Sequence, residues 1–296
     1  MTPLLDAHLH FWDPAARHHD WLAAHPPLRR RFGPEDLAPG AHELTGAVFV
    51  QADCHEAEAL AEVRWVTELA QDHPLIRGIV AYAPVHRGRL AWDDVVAVAA
   101  SPLVVGVRWL LQGRPSEEIT GKALIRGLRL LAEWGLTFDL CATHDQLTAV
   151  ASLVAACPQT SFVLDHLGKP PVAAGQLDPW RGDLARIASL PNVACKLSGL
   201  ATEAAPGWTA DDVRPYLEHA LKVFGPQRCM IASDWPVVTL AATAAHWFDV
   251  VLGVIAHLPA QQRTAVLYGT ATAAYGLAGP PPDPSWSTGA GSAVRR

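Results

Sequence analysis

Residues 228–236 read Arg-Cys-Met-Ile-Ala-Ser-Asp-Trp-Pro, and this stretch decides the fold. Cys229, Met230, Ile231 and Ala232 form a short apolar run, the pattern of a strand buried on both faces. Pro236 cannot donate to a strand ladder, so the strand must stop before it. Asp234 then sits at the carboxyl end of a buried strand, where a bare carboxylate is costly unless it is paired or put to use. Seven earlier runs, at 4–8, 45–51, 76–82, 104–108, 136–141, 161–165 and 192–197, are built in the same way and close on polar residues.

Between these runs the apolar spacing changes to that of amphipathic helices, as at 60, 63, 66, 69 and 70 within 56–72. Further helices are predicted over 90–100, 117–134, 178–189, 211–224, 239–256 and 260–276, with Gly135 ending the third of these seven and Asp145 capping a helix after strand five. Strands alternating with helices at this spacing predict an α/β fold, a (β/α)8 TIM barrel. The rival is a doubly wound sheet, which usually needs fewer strands and often opens on Gly-x-Gly-x-x-Gly, absent here. The barrel is expected to be one domain over 1–278 with a long loop after strand 1, residues 13–44, which Trp12, Trp21, Leu22 and Phe32 could anchor. The Pro-rich, then Gly/Ser-rich stretch over 279–296 is expected to be a disordered tail.

The 296 residues are 50% apolar and 18% charged, enough for a large core and far from the composition of a disordered chain. The net charge of −6 is spread along the sequence without a basic patch, so no nucleic-acid partner is expected. Five widely spaced cysteines without Cys-x-x-Cys, no leader-like opening and no run of 18 apolar residues point to a cytoplasmic protein without a membrane partner. Homo-oligomerisation is compatible with the sequence.

In such a barrel the active site lies at the carboxyl ends of the strands. Reading those ends gives His8 and His10, Gln51 and Asp53, Tyr82, Arg108, Asp139, His166 with Lys169, Lys196 with Ser198, and Asp234. His8 and His10 are two apart on a strand, so their side chains point the same way. Taken alone, His166 reads as a satisfied core histidine and Asp234 as a helix cap. Three histidines and an aspartate converging on one mouth read as a site.

Asp6-Ala7-His8-Leu9-His10-Phe11-Trp12-Asp13-Pro14 resembles the opening of the amidohydrolase superfamily, in its amidohydrolase-related branch of sugar-lactone hydrolases. Asp165-His166-Leu167-Gly168-Lys169-Pro170, Lys196-Leu197-Ser198-Gly199 and Ser233-Asp234-Trp235-Pro236 extend the resemblance in the expected order over about residues 4–276. The superfamily pattern places His-x-His after strand one, Lys or Glu after strand four, histidines after strands five and six, and Asp after strand eight. Here strand four offers Arg108, which cannot ligate a metal, and strand five offers Asp139 and Cys141. The binuclear site is therefore incomplete. The lactonase branch implies catalysis without a cofactor; one zinc ion held by His8, His10 and Asp234, helped by His166, is the alternative.

The resemblance implies hydrolysis of a sugar-acid lactone. Asp234 is expected to be the general base, with His8, His10 and His166 donating to the carbonyl oxygen as it becomes an oxyanion. Arg108, Lys169 and Gln51 are expected to bind substrate, and Trp12 and Trp235 to line the pocket, core filling being the plainer reading of the tryptophans. Two alternatives stand beside this: a zinc-dependent decarboxylase of aromatic or unsaturated acids, and a non-catalytic sugar-acid-binding barrel.

Overall fold

Cys229–Ile231 is the last of eight parallel strands in a computed structural model that describes residues 4–278; the tail expected over 279–296 lies outside the described residues. The strands are β1 (Leu4–Leu9), β2 (Leu44–Val50), β3 (Ile76–Ala81), β4 (Val104–Arg108), β5 (Thr137–Leu140), β6 (Phe162–Leu164), β7 (Val193–Leu197) and β8 (Cys229–Ile231). They pair in chain order. A parallel bridge between Leu9 and Trp235 joins the first strand to the segment after the last, with the Asp234 N–H donating to the His8 carbonyl at 2.9 Å. Helices separate the strands, and the chain is a (β/α)8 barrel.

Period-two alternation explains what fills it. Val48, Val50, Val163, Ala194, Met230 and Ala232 belong to a buried cluster enclosed by the strands. Continuing each strand by two residues brings Asp165, Lys196 and Asp234 to the upper end of the same interior. β1 departs from this rule. Leu5 and Ala7 join the interior cluster, so strict alternation would turn His8 away. The register of β1 against β2 is irregular between Asp6 and Leu9, and past that point His8 and His10 face inward.

The predicted helices are present, with shifted ends. The one expected over 117–134 is split at Gly121 into Ser116–Ile119 and Lys122–Glu133, and Gly135 follows it in the left-handed conformation expected of a helix stop. Thr143, not Asp145, caps the turn before Leu147–Ala156, in a reciprocal pair with Gln146. The stretch expected as helix 239–256 begins as a separate turn, Val237–Leu240, before Ala244–Ile255 capped by Thr243. Loop 13–44 contains three short helical turns and is pinned by the Trp12–Phe32 backbone bridge and by the buried Trp12 indole, whose N–H donates to the Leu28 and Arg30 carbonyls. Among the described residues no helix is long and apolar enough to cross a membrane.

Candidate active site

Asp234 follows β8 in a left-handed turn, φ 61°, which aspartate tolerates better than most residues. Its Oδ1 lies 3.3 Å from His10 Nε2, 3.6 Å from His8 Nε2 and 3.9 Å from His166 Nε2. All four side chains are nearly or wholly buried; His10, His166 and Asp234 line a cavity of about 330 Å³ at the barrel mouth, with His8 packed beside them. Burial pushes the Asp234 carboxyl up, but the imidazoles of His166, His10 and His8 outweigh it and hold the group below the ordinary carboxylate range.

Each imidazole is held from behind. His10 Nδ1 lies 2.7 Å from the Val50 carbonyl, which can only accept, so Nδ1 carries a proton. His166 Nδ1 lies 2.8 Å from the Ser198 hydroxyl. His8 Nδ1 has two neighbours of opposite demand: the Lys196 ammonium at 3.1 Å and the Asp165 carboxylate at 3.3 Å. Burial, then Lys196, push His8 well below the ordinary histidine range, while burial brings His166 down to about 4. Both rings are therefore neutral near pH 7.

Beneath this floor runs a buried ionic network. Lys196 donates to Asp139 at 2.5 Å and to Asp165 at 2.9 Å; Arg108 donates to Asp165 at 3.2 Å and to the Gln51 carbonyl at 2.7 Å. Tyr275, the residue that follows the helix Thr270–Ala274, donates to Asp139 at 2.8 Å. Burial works against the Lys196 ammonium, yet Asp139 and Asp165 more than offset it and raise its pKa. Removing one partner of such a set strands the others without compensation.

The sequence motifs are the braces of this site. Asp6 accepts from the Ser233 N–H and hydroxyl at 2.8 and 2.5 Å, tying Asp-Ala-His to Ser-Asp-Trp-Pro. In Lys196-Leu197-Ser198-Gly199, the first residue reaches His8 and the third reaches His166. Gly199 has φ 73° and lies so near His166 that a Cβ added there would stand 2.6 Å from the His166 Cβ. His166 itself sits in a left-handed run with Leu167 and Lys169 after β6.

The donor atoms His8 Nε2, His10 Nε2 and Asp234 Oδ1 are 3.1 to 3.6 Å apart, with ligand atoms of His8, His166 and Asp234 all within 4.8 Å. Ligands around a tetrahedral zinc stand about 3.3 Å from one another, from bonds of about 2.0–2.1 Å. Three imidazoles and a carboxylate, each imidazole with an outer partner on Nδ1, thus form a set that can hold one zinc ion.

The model of the amidohydrolase family matches residues 5–277. The chain belongs to this family. An L-fucono-1,5-lactonase of Burkholderia multivorans is 33% identical, over 93% of this chain and 97% of that protein. The L-fucono-1,5-lactonase of Burkholderia ambifaria is 32% identical over 81% of this chain and 83% of its own. A crystal structure of an amidohydrolase from B. multivorans with bound zinc matches at a TM-score of 0.83 and 33% identity, covering 93% of this chain and all of the other.

Of the residues singled out in the sequence of this amidohydrolase, His8, His10, His166 and Asp234 come together, with Arg108 and Lys169 at the cavity wall. Gln51 is buried, its side-chain oxygen accepting from the Asp53 N–H at 2.6 Å. Trp12 and Trp235 lie outside the cavity lining, packed with Phe32. Trp21, His25, Asp53 and Gln112 line the cavity instead. Trp21 and His25 come from the aperiodic loop, where no pattern signalled a side-chain direction. Asp165 and Tyr275 were assigned no role of their own; for Asp165 the period-two rule, counted on from Val163, was the available signal.

Proposed function

We propose that this amidohydrolase opens the ester ring of a sugar-acid lactone, an aldonolactone of the L-fucono or L-rhamnono type. The observation that carries this reading is the Asp234 carboxylate ringed by three buried imidazoles at the floor of a polar cavity, in a chain a third identical to two lactonases. Asp234, ionised across the neutral range, takes a proton from water as the water oxygen bonds to the lactone carbonyl carbon. The bond from that carbon to the ring oxygen then breaks, and Asp234 returns the proton to the leaving oxygen. The product is a hydroxy acid, which ionises and releases one proton to solvent.

His166 is the donor to the developing oxyanion: with the Ser198 hydroxyl donating to its Nδ1, its proton is on Nε2, facing the cavity. His10, held through Nδ1 by the Val50 carbonyl, orients the attacking water. His8 takes either tautomer, accepting from Lys196 or donating to Asp165.

The same four residues suit a single zinc ion. With the protons of His8 and His10 on Nδ1, His8 Nε2, His10 Nε2 and Asp234 Oδ1 would be three close acceptors, a set that calls for a proton or a cation among them. Zinc held there supplies Lewis acidity, which acidifies water and polarises a carbonyl. Asp165 would then accept from His8 Nδ1 and the Val50 carbonyl from His10 Nδ1, fixing both rings for ligation.

The zinc-dependent decarboxylase is less supported, since the two curated relatives that match over most of the chain at 32–33% identity are lactonases. The test is proton release from a panel of neutral aldonolactones. Saturable hydrolysis with the matching hydroxy acid as product is expected. Tight binding without turnover would move the protein to the non-catalytic sugar-acid-binding reading.

A further inference from the structure

The cavity walls carry a charge pattern that the hydrolytic chemistry does not use. Each of its two wall cations has an acidic neighbour within the protein. Arg108 is committed to Asp165 and the Gln51 carbonyl. Lys169 donates to Gln112 Oε1 at 2.7 Å and lies 3.8 Å from Glu203. Asp53 is different. It lines the cavity, and its carboxylate has no hydrogen-bond or ion-pair partner among the described residues. It is also held in place: its backbone is left-handed, φ 53°, and its N–H is fixed by Gln51.

Asp53 follows β2 and Lys169 follows β6, and strands two and six stand opposite one another in an eight-strand ring. A ligand across the mouth therefore meets an unpaired acceptor on one side and a neutralised Lys-Gln-Glu group on the other. Counting the cavity and the network beneath it, Arg108, Lys169 and Lys196 face five carboxylates: Asp53, Asp139, Asp165, Glu203 and Asp234. A hydroxyl can donate to Asp53; a further carboxylate on the ligand placed there would meet like charge, in a wall where carboxylates outnumber cations.

We propose that Asp53 is a specificity-determining residue, accepting a hydrogen bond from a ring or side-chain hydroxyl of the lactone and rejecting lactones that bear a further carboxylate. The inference rests on the lactonase reading and narrows it to neutral polyhydroxylated lactones.

The test uses Asp53→Asn, because asparagine adopts the left-handed conformation readily and keeps the shape of the side chain. Steady-state hydrolysis is compared for a neutral aldonolactone and for an aldaric-acid monolactone, which carries the extra carboxylate. In the native protein kcat/KM is expected to be at least about a hundredfold higher for the neutral lactone. In Asp53→Asn the neutral lactone should lose about ten- to a hundredfold, chiefly in KM, the scale for a hydrogen bond to a charged group. The carboxylated lactone should gain over the same change. Impaired folding would lower both together, so opposite movements identify the role. Native protein that hydrolyses both lactones equally well, or an Asp53→Asn variant whose two values fall in parallel, would overturn the inference while leaving the lactonase reading standing. Native protein that hydrolyses neither would overturn both.

Discussion

Ser198 Oγ lies 2.8 Å from His166 Nδ1, and Gly199, the next residue, packs directly against the same ring. One loop after β7 thus sets both the hydrogen bonding and the position of a histidine that follows β6. Without the hydroxyl, His166 Nδ1 has no partner to fix which nitrogen carries the proton.

Ser198→Ala should therefore lower kcat by about ten- to a hundredfold, the scale for losing the outer partner of a working imidazole, with KM nearly unchanged. Ser198→Thr, which keeps a hydroxyl, should recover part of the loss. A fall in KM and kcat alike in both variants would show that the residue serves packing alone.

Glu62 gives a pH prediction away from the catalytic floor. It is buried on the helix Ala59–Asp72, accepts from the Ala52 N–H at 3.1 Å, and burial raises its pKa to about 7. The folded state thus holds a proton that the unfolded chain, titrating near 4.5, has lost. Stability from this group is full below pH 4.5 and is lost as pH rises through 7. Glu62→Gln keeps the acceptor and removes the charge, so it should be more stable than the native protein at pH 8 by on the order of 2–3 kcal/mol and equal to it near pH 4. Chemical denaturation at both pH values measures this; a constant difference between them would contradict the assignment.

Zinc binding has a readout independent of turnover. Zinc at a hundred times its dissociation constant should stabilise the native protein by about 2.7 kcal/mol. His8→Ala, which removes one donor, should abolish most of that shift in thermal unfolding. An equal shift in the variant would place zinc elsewhere on the protein.

The barrel was legible because its signal is repeated: eight apolar runs, each buried on both faces, closing on polar residues before a helix. His8, His10, His166 and Asp234 were legible because all four stand at those closings. What escaped was of two kinds. Trp21 and His25 approach the cavity from loop 13–44, whose course is set by the Trp12 indole and the Trp12–Phe32 bridge, tertiary contacts without a local pattern. The second kind is the purpose of residues already in view. Lys196 and Ser198 stand at a strand end like any others until the fold brings β7 beside His8 and His166. Helix ends shifted where capping competed, as when Thr143 and Gln146 formed the reciprocal pair instead of Asp145.

The most direct test of the account is single-turnover hydrolysis of a neutral aldonolactone by the native protein and by Asp234→Asn, with lactone binding measured alongside. Asparagine keeps the left-handed turn but cannot take the proton from water. Lactone binding should persist in Asp234→Asn while the rate falls by about 10²–10⁴-fold, the range for loss of general acid–base help. An Asp234→Asn variant that turns the lactone over at a near-native rate would contradict it.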